Sequence, residues 1–244
     1  MTDSGNLVVG NQGLADLDWR FSPANGTISS VAIFQTEDPW GQTANQDVLA
    51  SNGIPYTIYG TADIGVVDLS PYDKVILVMS ADQDQTFFNA VSANTSWFES
   101  YAASGGVLEM HLAPYGTKTV GTLPGGYTTV QDTGDTVDIA IPGHRLLSDP
   151  NPITDAGLDG WGSSYHRYIT SYPPGSEVVL TEGDIAGNPV LVTTPWGLGA
   201  LMLSGQTLEF AYPGTSDLLE NVIHYSPQTY ALPQWLTATP PNGT

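Results

Sequence analysis

Short unbroken apolar runs in this chain alternate with stretches in which apolar residues recur every three or four positions. The clearest instance spans residues 72–112. Lys74–Ser80 (KVILVMS) reads as a strand buried on both faces, and Ala81–Gln85 as an acidic turn. Thr86–Ala103 reads as a helix and, after Gly105-Gly106, Val107–Leu112 as a second buried strand. Together they predict a βαβ unit with parallel strands. Upstream the same rhythm repeats. SVAIFQTE (30–37) is a strand, Thr43–Ser51 a helix stopped by Asn52-Gly53, and PYTIYG (55–60) the next strand. In the helix 86–103, Phe87, Phe88, Val91, Trp97, Phe98 and Tyr101 follow the spacing of a core-facing stripe.

Beyond Leu112 the period shortens towards two. Residues 127–141 (YTTVQDTGDTVDIAI) predict a β-hairpin about Thr133-Gly134. Residues 177–205 predict three strands turned at Gly183–Gly187 and Pro195–Gly199, and Asp217–His224 predicts a closing helix. The expected fold is α/β: a parallel, doubly wound sheet with antiparallel β additions and short β-strand appendages at both termini. Residues 1–28 are expected to form a β appendage and linker, 29–226 the main domain, and 227–244 a Pro-rich extended tail or the start of a following β domain.

Charge narrows the partners. Five Lys and Arg face 25 Asp and Glu across 244 residues, a net charge of −20. Such a surface repels phosphate backbones, so nucleic acid is not expected, and it suits a salt-rich or extracellular setting. The chain has no cysteine, which excludes disulfides, thiol nucleophiles and Cys-ligated metals. No apolar run reaches the length of a membrane span, and MTDSGN does not open a signal peptide; an exported form would be a mature piece.

The phrases LSPYDKVIL (69–77) and ASGGVL (103–108), separated by a helix, resemble the class I glutamine amidotransferase-like superfamily, in its non-catalytic secreted versions. Residues 143–169 and 188–203 are similar to segments of trehalose-utilisation-type members. At the ends, NLVVGNQGLADLDW (6–19) and PQWLTATPPNGT (233–244) resemble strands of bacterial immunoglobulin-like repeats. The resemblance implies a flavodoxin-like sheet over about residues 30–226. In catalytic members a Cys follows the strand after the Gly-Gly; here that strand ends His111-Leu112-Ala113-Pro114, which excludes a thiol-ester mechanism. His144 is followed by Arg145 where those relatives have Pro.

In an open α/β sheet ligands bind beyond the carboxyl ends of the strands, where the strand order reverses. That expectation gathers Glu37, Asp38 and Trp40 with Asp82, Asp84 and Gln85, and adds His111 and His166 as ligand-binding candidates. Asp38, Asp82 and Asp84 are candidate oxygen ligands for Ca2+, although acids at 82 and 84 also suit a helix N-terminus. A transition-metal pair of His144 and His166 with Glu109 or Asp159 is a weaker alternative. Exposed Trp and Tyr, Trp40 and Trp161 among them, suit sugar faces.

The sequence thus predicts a non-catalytic structural, adhesive or binding module of an extracellular, cell-surface or self-assembling protein, with Ca2+ or glycan as ligand at an acidic crevice. Its partners would be neighbouring domains of a longer chain, copies of itself, or carbohydrate, without membrane insertion. Two alternatives stand beside it: a carboxylate- or His-dependent hydrolase acting on carbohydrate, and a filament-forming protein joined through its terminal strands.

Overall fold

The structure, a computed structural model, describes residues 27–159, 161–183 and 187–226. The immunoglobulin-like end segments lie outside the described residues. Eight strands form one sheet in the order β2-β1-β3-β4-β10-β9-β8-β6. They are β1 (Val31–Phe34), β2 (Tyr56–Tyr59), β3 (Lys74–Ser80), β4 (Val107–Ala113), β6 (Val137–Ile139), β8 (Glu177–Glu182), β9 (Pro189–Trp196) and β10 (Gly199–Ser204). The block β2-β1-β3-β4-β10 is parallel, and β9, β8 and β6 extend it antiparallel. The expected α/β sheet with antiparallel additions is therefore what the chain forms.

Side-chain alternation sends each central strand into two cores. Val31, Ile33, Ile76 and Val78 pack against helices α1 (Ala44–Ser51), α4 (Leu208–Ala211) and α5 (Leu218–His224). Ala32, Phe34, Val75, Leu77 and Met79 pack against α2 (Gln85–Ala93) and α3 (Thr95–Ala103). This double burial is why the strands read as continuous apolar runs.

Two expectations need correction. The predicted single helix over 86–103 is broken at Asn94, whose φ of −120° leaves the helical region. Its side-chain amide donates to the Ala90 carbonyl at 2.8 Å, so a local side-chain bond competes with the helical ladder. The predicted hairpin over 127–141 does not form either. β5 (Thr128–Gly134) pairs with β7 (Tyr165–Ser171) in a separate two-stranded sheet, while β6 joins β8. Between them Asp135 is tied away from a tight turn: Ser163 N–H donates to its Oδ1 at 2.6 Å and Ser164 Oγ to its carbonyl at 2.7 Å.

The Gly-Gly stop has a packing reason. A Cβ on Gly106 would lie 2.1 Å from the Tyr101 ring, and one on Gly199 only 2.0 Å from the Gly106 carbonyl. Backbone contact at this point sets the start of β10 beside β4. No helix among the described residues is long and apolar enough to cross a membrane.

Candidate functional site

β1 has β2 on one side and β3 on the other, so the strand order reverses between β1 and β3. The loops leaving their carboxyl ends are joined by Gln83, which is fully buried. Its Oε1 accepts from Thr36 N–H at 2.6 Å and Thr36 Oγ at 2.9 Å, and its Nε2 donates to the Glu37 carbonyl at 2.7 Å. Asp82 completes the clamp by accepting Trp40 N–H at 2.7 Å. Trp40 sits at φ +53°, a left-handed conformation that a bulky residue adopts only where its surroundings enforce it. The Asp82 bond is one such constraint.

Trp40 is therefore held over the mouth. Its ring meets His166 at 6.3 Å and Phe210 at 6.2 Å between centroids, and Tyr115, just past β4, meets His166 at 5.4 Å. Tyr115 and Phe210 are exposed, at 59% and 47%. His166 Nδ1 lies 3.0 Å from the Ala113 carbonyl, which can only accept, so Nδ1 carries the proton. Burial holds the His166 pKa below its ordinary value, with the Ala113 bond opposing. Near neutral pH the ring is uncharged and its Nε2 is an acceptor.

Around this aromatic rim lie buried amides. Gln35 and Gln46 both donate to Asp38 Oδ1, at 2.8 and 2.9 Å, leaving each Oε1 without a partner. Asn45 donates to Glu209 at 3.1 Å, and its Oδ1 has none. Gln206 is fully buried, with neither side-chain polar atom bonded. Each amide connects to the rim through a near neighbour: Asp38 to Trp40, Glu209 to Phe210, and Gly205 to His166, whose N–H the Gly205 carbonyl accepts at 2.9 Å.

Beneath the mouth runs a sealed chain of charge. Lys74 Nζ donates to Glu109 Oε2 at 2.7 Å and to the Val222 carbonyl in the last turn of α5. Glu109 Oε1 bonds His111 Nε2, and His111 Nδ1 meets Glu209 Oε1 at 2.6 Å. All four side chains are at most 1% exposed. Burial alone would lower the His111 pKa, but Glu209 and then Glu109 outweigh it and lift the value to about 10. Burial also pushes Glu109 up; Lys74 and His111 together overcome this and hold it below the ordinary carboxylate value. Burial pulls Lys74 down against the attraction of Glu109. Two cations and two carboxylates balance, which is the condition under which buried charge is tolerated.

Of the residues expected at the crevice, Asp38, Trp40, Asp82 and His166 come together. His111 lies below them in the charge chain. Glu37 contributes its backbone to the Gln83 clamp, and its side chain is exposed. Asp84 caps α2, accepting Phe87 N–H at 3.0 Å and Thr86 Oγ at 2.6 Å; these bonds, the Thr86 one first, lower its pKa. Gln85 is turned to Thr119. Among the described residues no group of three or more His, Asp or Glu is arranged as metal ligands. The expected His144–His166 pairing does not form: His144 lies 3.4 Å from Glu177 and packs on Tyr225, in the wall of a cavity of about 830 Å³ at the amino-terminal end of β10. Asp159 accepts Val137 N–H at 2.7 Å, and Glu109 belongs to the core. No local sequence pattern marks Glu209, Asn45, Gln206, Tyr115 or Phe210. Lys74 and Glu109 did leave a trace, as lone charges inside apolar strand runs.

Comparison with known proteins agrees with this geometry at the level of fold. A cytoplasmic protein of Salmonella typhimurium superposes with a TM-score of 0.54 at 13% identity, over 80% of this chain and 98% of that one. A GMP synthase-type protein of Thermoplasma acidophilum superposes with a TM-score of 0.51 at 12% identity, over 80% and 90%. At these identities the likeness is one of fold alone. No family model matches the chain. In sequence it is 24% identical over 222 residues to an uncharacterized protein of Clostridium acetobutylicum, a match covering 88% of this chain and 22% of that protein. The chain thus spans about a fifth of that relative's length.

Proposed function

We propose that this chain is a non-catalytic binding module of a larger protein and that its mouth takes a saccharide. One observation carries the reading: the half-buried ring of Trp40 and the exposed rings of Tyr115 and Phe210 stand near buried amides, of which Gln35, Gln46 and Asn45 each leave an oxygen without a partner and Gln206 leaves both its polar atoms. Apolar ring faces with nearby unsatisfied amide oxygens and the Gln206 Nε2 donor match the two-sided chemistry of a sugar, whose C–H face stacks and whose hydroxyls hydrogen-bond. At the amidotransferase nucleophile position the strand runs into Ala113-Pro114, which offers no nucleophile. The charge chain is internally neutralised and sealed, so it supports the mouth without reaching it. The greater length of the Clostridium relative is consistent with a module set among other domains.

A glycan array probed with the purified chain tests this. Saturable binding that Trp40→Gly and Tyr115→Ala each weaken at least tenfold, with melting temperature retained, is the expected result. Glycine suits the left-handed backbone at 40, so that variant removes the ring without new strain. No binding to any glycan would end the proposal. A second reading, a His-dependent hydrolase, draws on the uncharged His166 at the rim. Glycan turnover abolished by His166→Gln would favour it; binding without turnover favours the module.

A further inference from the structure

Of the chain's few cations, Arg167 on β7 is buried, with 8% exposure. Lys74 pairs with Glu109 and Arg145 with Asp149, but among the described residues no carboxylate pairs with Arg167. Its bonds go to one neighbour: Nε donates to Thr129 Oγ at 2.8 Å and Nη2 to the Thr129 carbonyl at 3.3 Å. These leave Nη1 and part of the guanidinium fork free. Acids outnumber bases 25 to five, so the missing counter-charge does not reflect a shortage of acids.

The guanidinium lines a cavity of about 300 Å³ together with Gly121, Thr122, Gly126, Thr128 and Thr129. Among the described residues no acidic side chain lines it. Glu99, which reaches the same loop, commits Oε1 to Gly125 N–H at 2.8 Å. A liquid water occupies about 30 Å³, so the space admits a tetrahedral oxyanion or a carboxylate with its flanking atoms. A buried, unpaired charge is costly, and the guanidinium fork matches two oxygens of one anion. Hydroxyl-bearing walls add neutral donors and no repulsion.

We infer that this cavity is an oxyanion-binding site, separate from the aromatic mouth, in which Arg167 recognises a carboxylate or a phosphate- or sulfate-type group. A carboxylate or ester group on a saccharide and a free inorganic ion share this chemistry. Isothermal titration calorimetry of the full chain with sodium sulfate, sodium phosphate and sodium glucuronate, each against sodium chloride of equal ionic strength, separates them. The expected result is saturable one-site binding of at least one oxyanion, weakened tenfold or more in Arg167→Gln. Thr122→Glu places a tethered carboxylate in the cavity; it is expected to abolish binding and raise the melting temperature of the free protein. Glucuronate alone would assign an organic carboxylate, and phosphate or sulfate alone a tetrahedral anion. Absence of saturable binding by all three, or binding unchanged in Thr122→Glu, would overturn the inference. Should Arg167→Gln not fold, Thr122→Glu decides.

Discussion

Replacing His111 by Leu removes the cation that lies between two buried carboxylates. Glu109 keeps Lys74 at 2.7 Å, but Glu209 keeps only the Asn45 amide at 3.1 Å and becomes a buried charge without a counter-ion. The size of the effect follows from the ring itself. A rise from 6.5 to about 10 amounts to roughly 5 kcal/mol of preference for the imidazolium at about 1.4 kcal/mol per unit. Breaking buried ion pairs typically costs about 3–5 kcal/mol, so the two routes agree. In a domain of this size that is a fall in melting temperature of roughly 6–20 °C. The double variant is the sharper test. His111→Leu with Glu209→Leu restores balance, because Lys74 and Glu109 remain as a neutral pair. It should be more stable than either single variant, by about 2 kcal/mol or more, within the usual range of coupling energies for contacting residues. Urea unfolding at pH 7, followed by tryptophan fluorescence, measures all four proteins. The pH dependence supplies an independent sign. The folded pKa lies above the unfolded value, so the His111 contribution is complete below about 6.5 and drains as pH rises through about 10. The gap between wild type and His111→Leu should therefore narrow over that window. Additive single effects with a pH-independent gap would refute the reasoning.

Three further outcomes follow from the same contacts. Gln83→Ala unties the loops after β1 and β3 and should cost about 1–3 kcal/mol; it should also weaken saccharide binding, since Trp40 loses its support, and calorimetry reads both. Gly106→Ala drives a methyl into the Tyr101 ring, an overpacking expected to cost about 1–3 kcal/mol in a urea melt. On the acid side, Glu109 is held below its ordinary value, so its contribution is complete above that value and is lost as pH falls through the lowered pKa; Glu109→Gln should flatten this limb in melting curves taken between pH 3 and 6.

The sheet was largely legible because burial on both faces leaves an unmistakable trace: β3 and β4 are continuous apolar runs bounded by turn residues. The rule that open α/β sheets bind ligands where the strand order reverses located Asp38, Trp40 and Asp82 together, and the reversal lies between β1 and β3. What could not be read was pairing across distance. Glu209 meets His111 from 98 positions away and Asn45 from 164, and no local pattern encodes such a meeting. Acidity also misled. Asp38, Asp82 and Asp84 look alike in sequence, yet one holds two amides, one fixes a tryptophan backbone and one caps a helix. The hairpin expectation failed for a related reason: β-like residues on both sides of Gly134 satisfy local geometry, while Ser163 and Ser164, far along the chain, decide where Asp135 goes.

The most direct test of the binding reading is a nitrogen–proton correlation spectrum of the labelled chain, recorded while the best saccharide from the array is titrated in. Saturable shifts are expected, confined to the Trp40 indole, the Tyr115 backbone and the side-chain amides of Gln35, Asn45, Gln46 and Gln206. Shifts that leave these signals untouched, or that cluster instead about His144 and Tyr225, would contradict it.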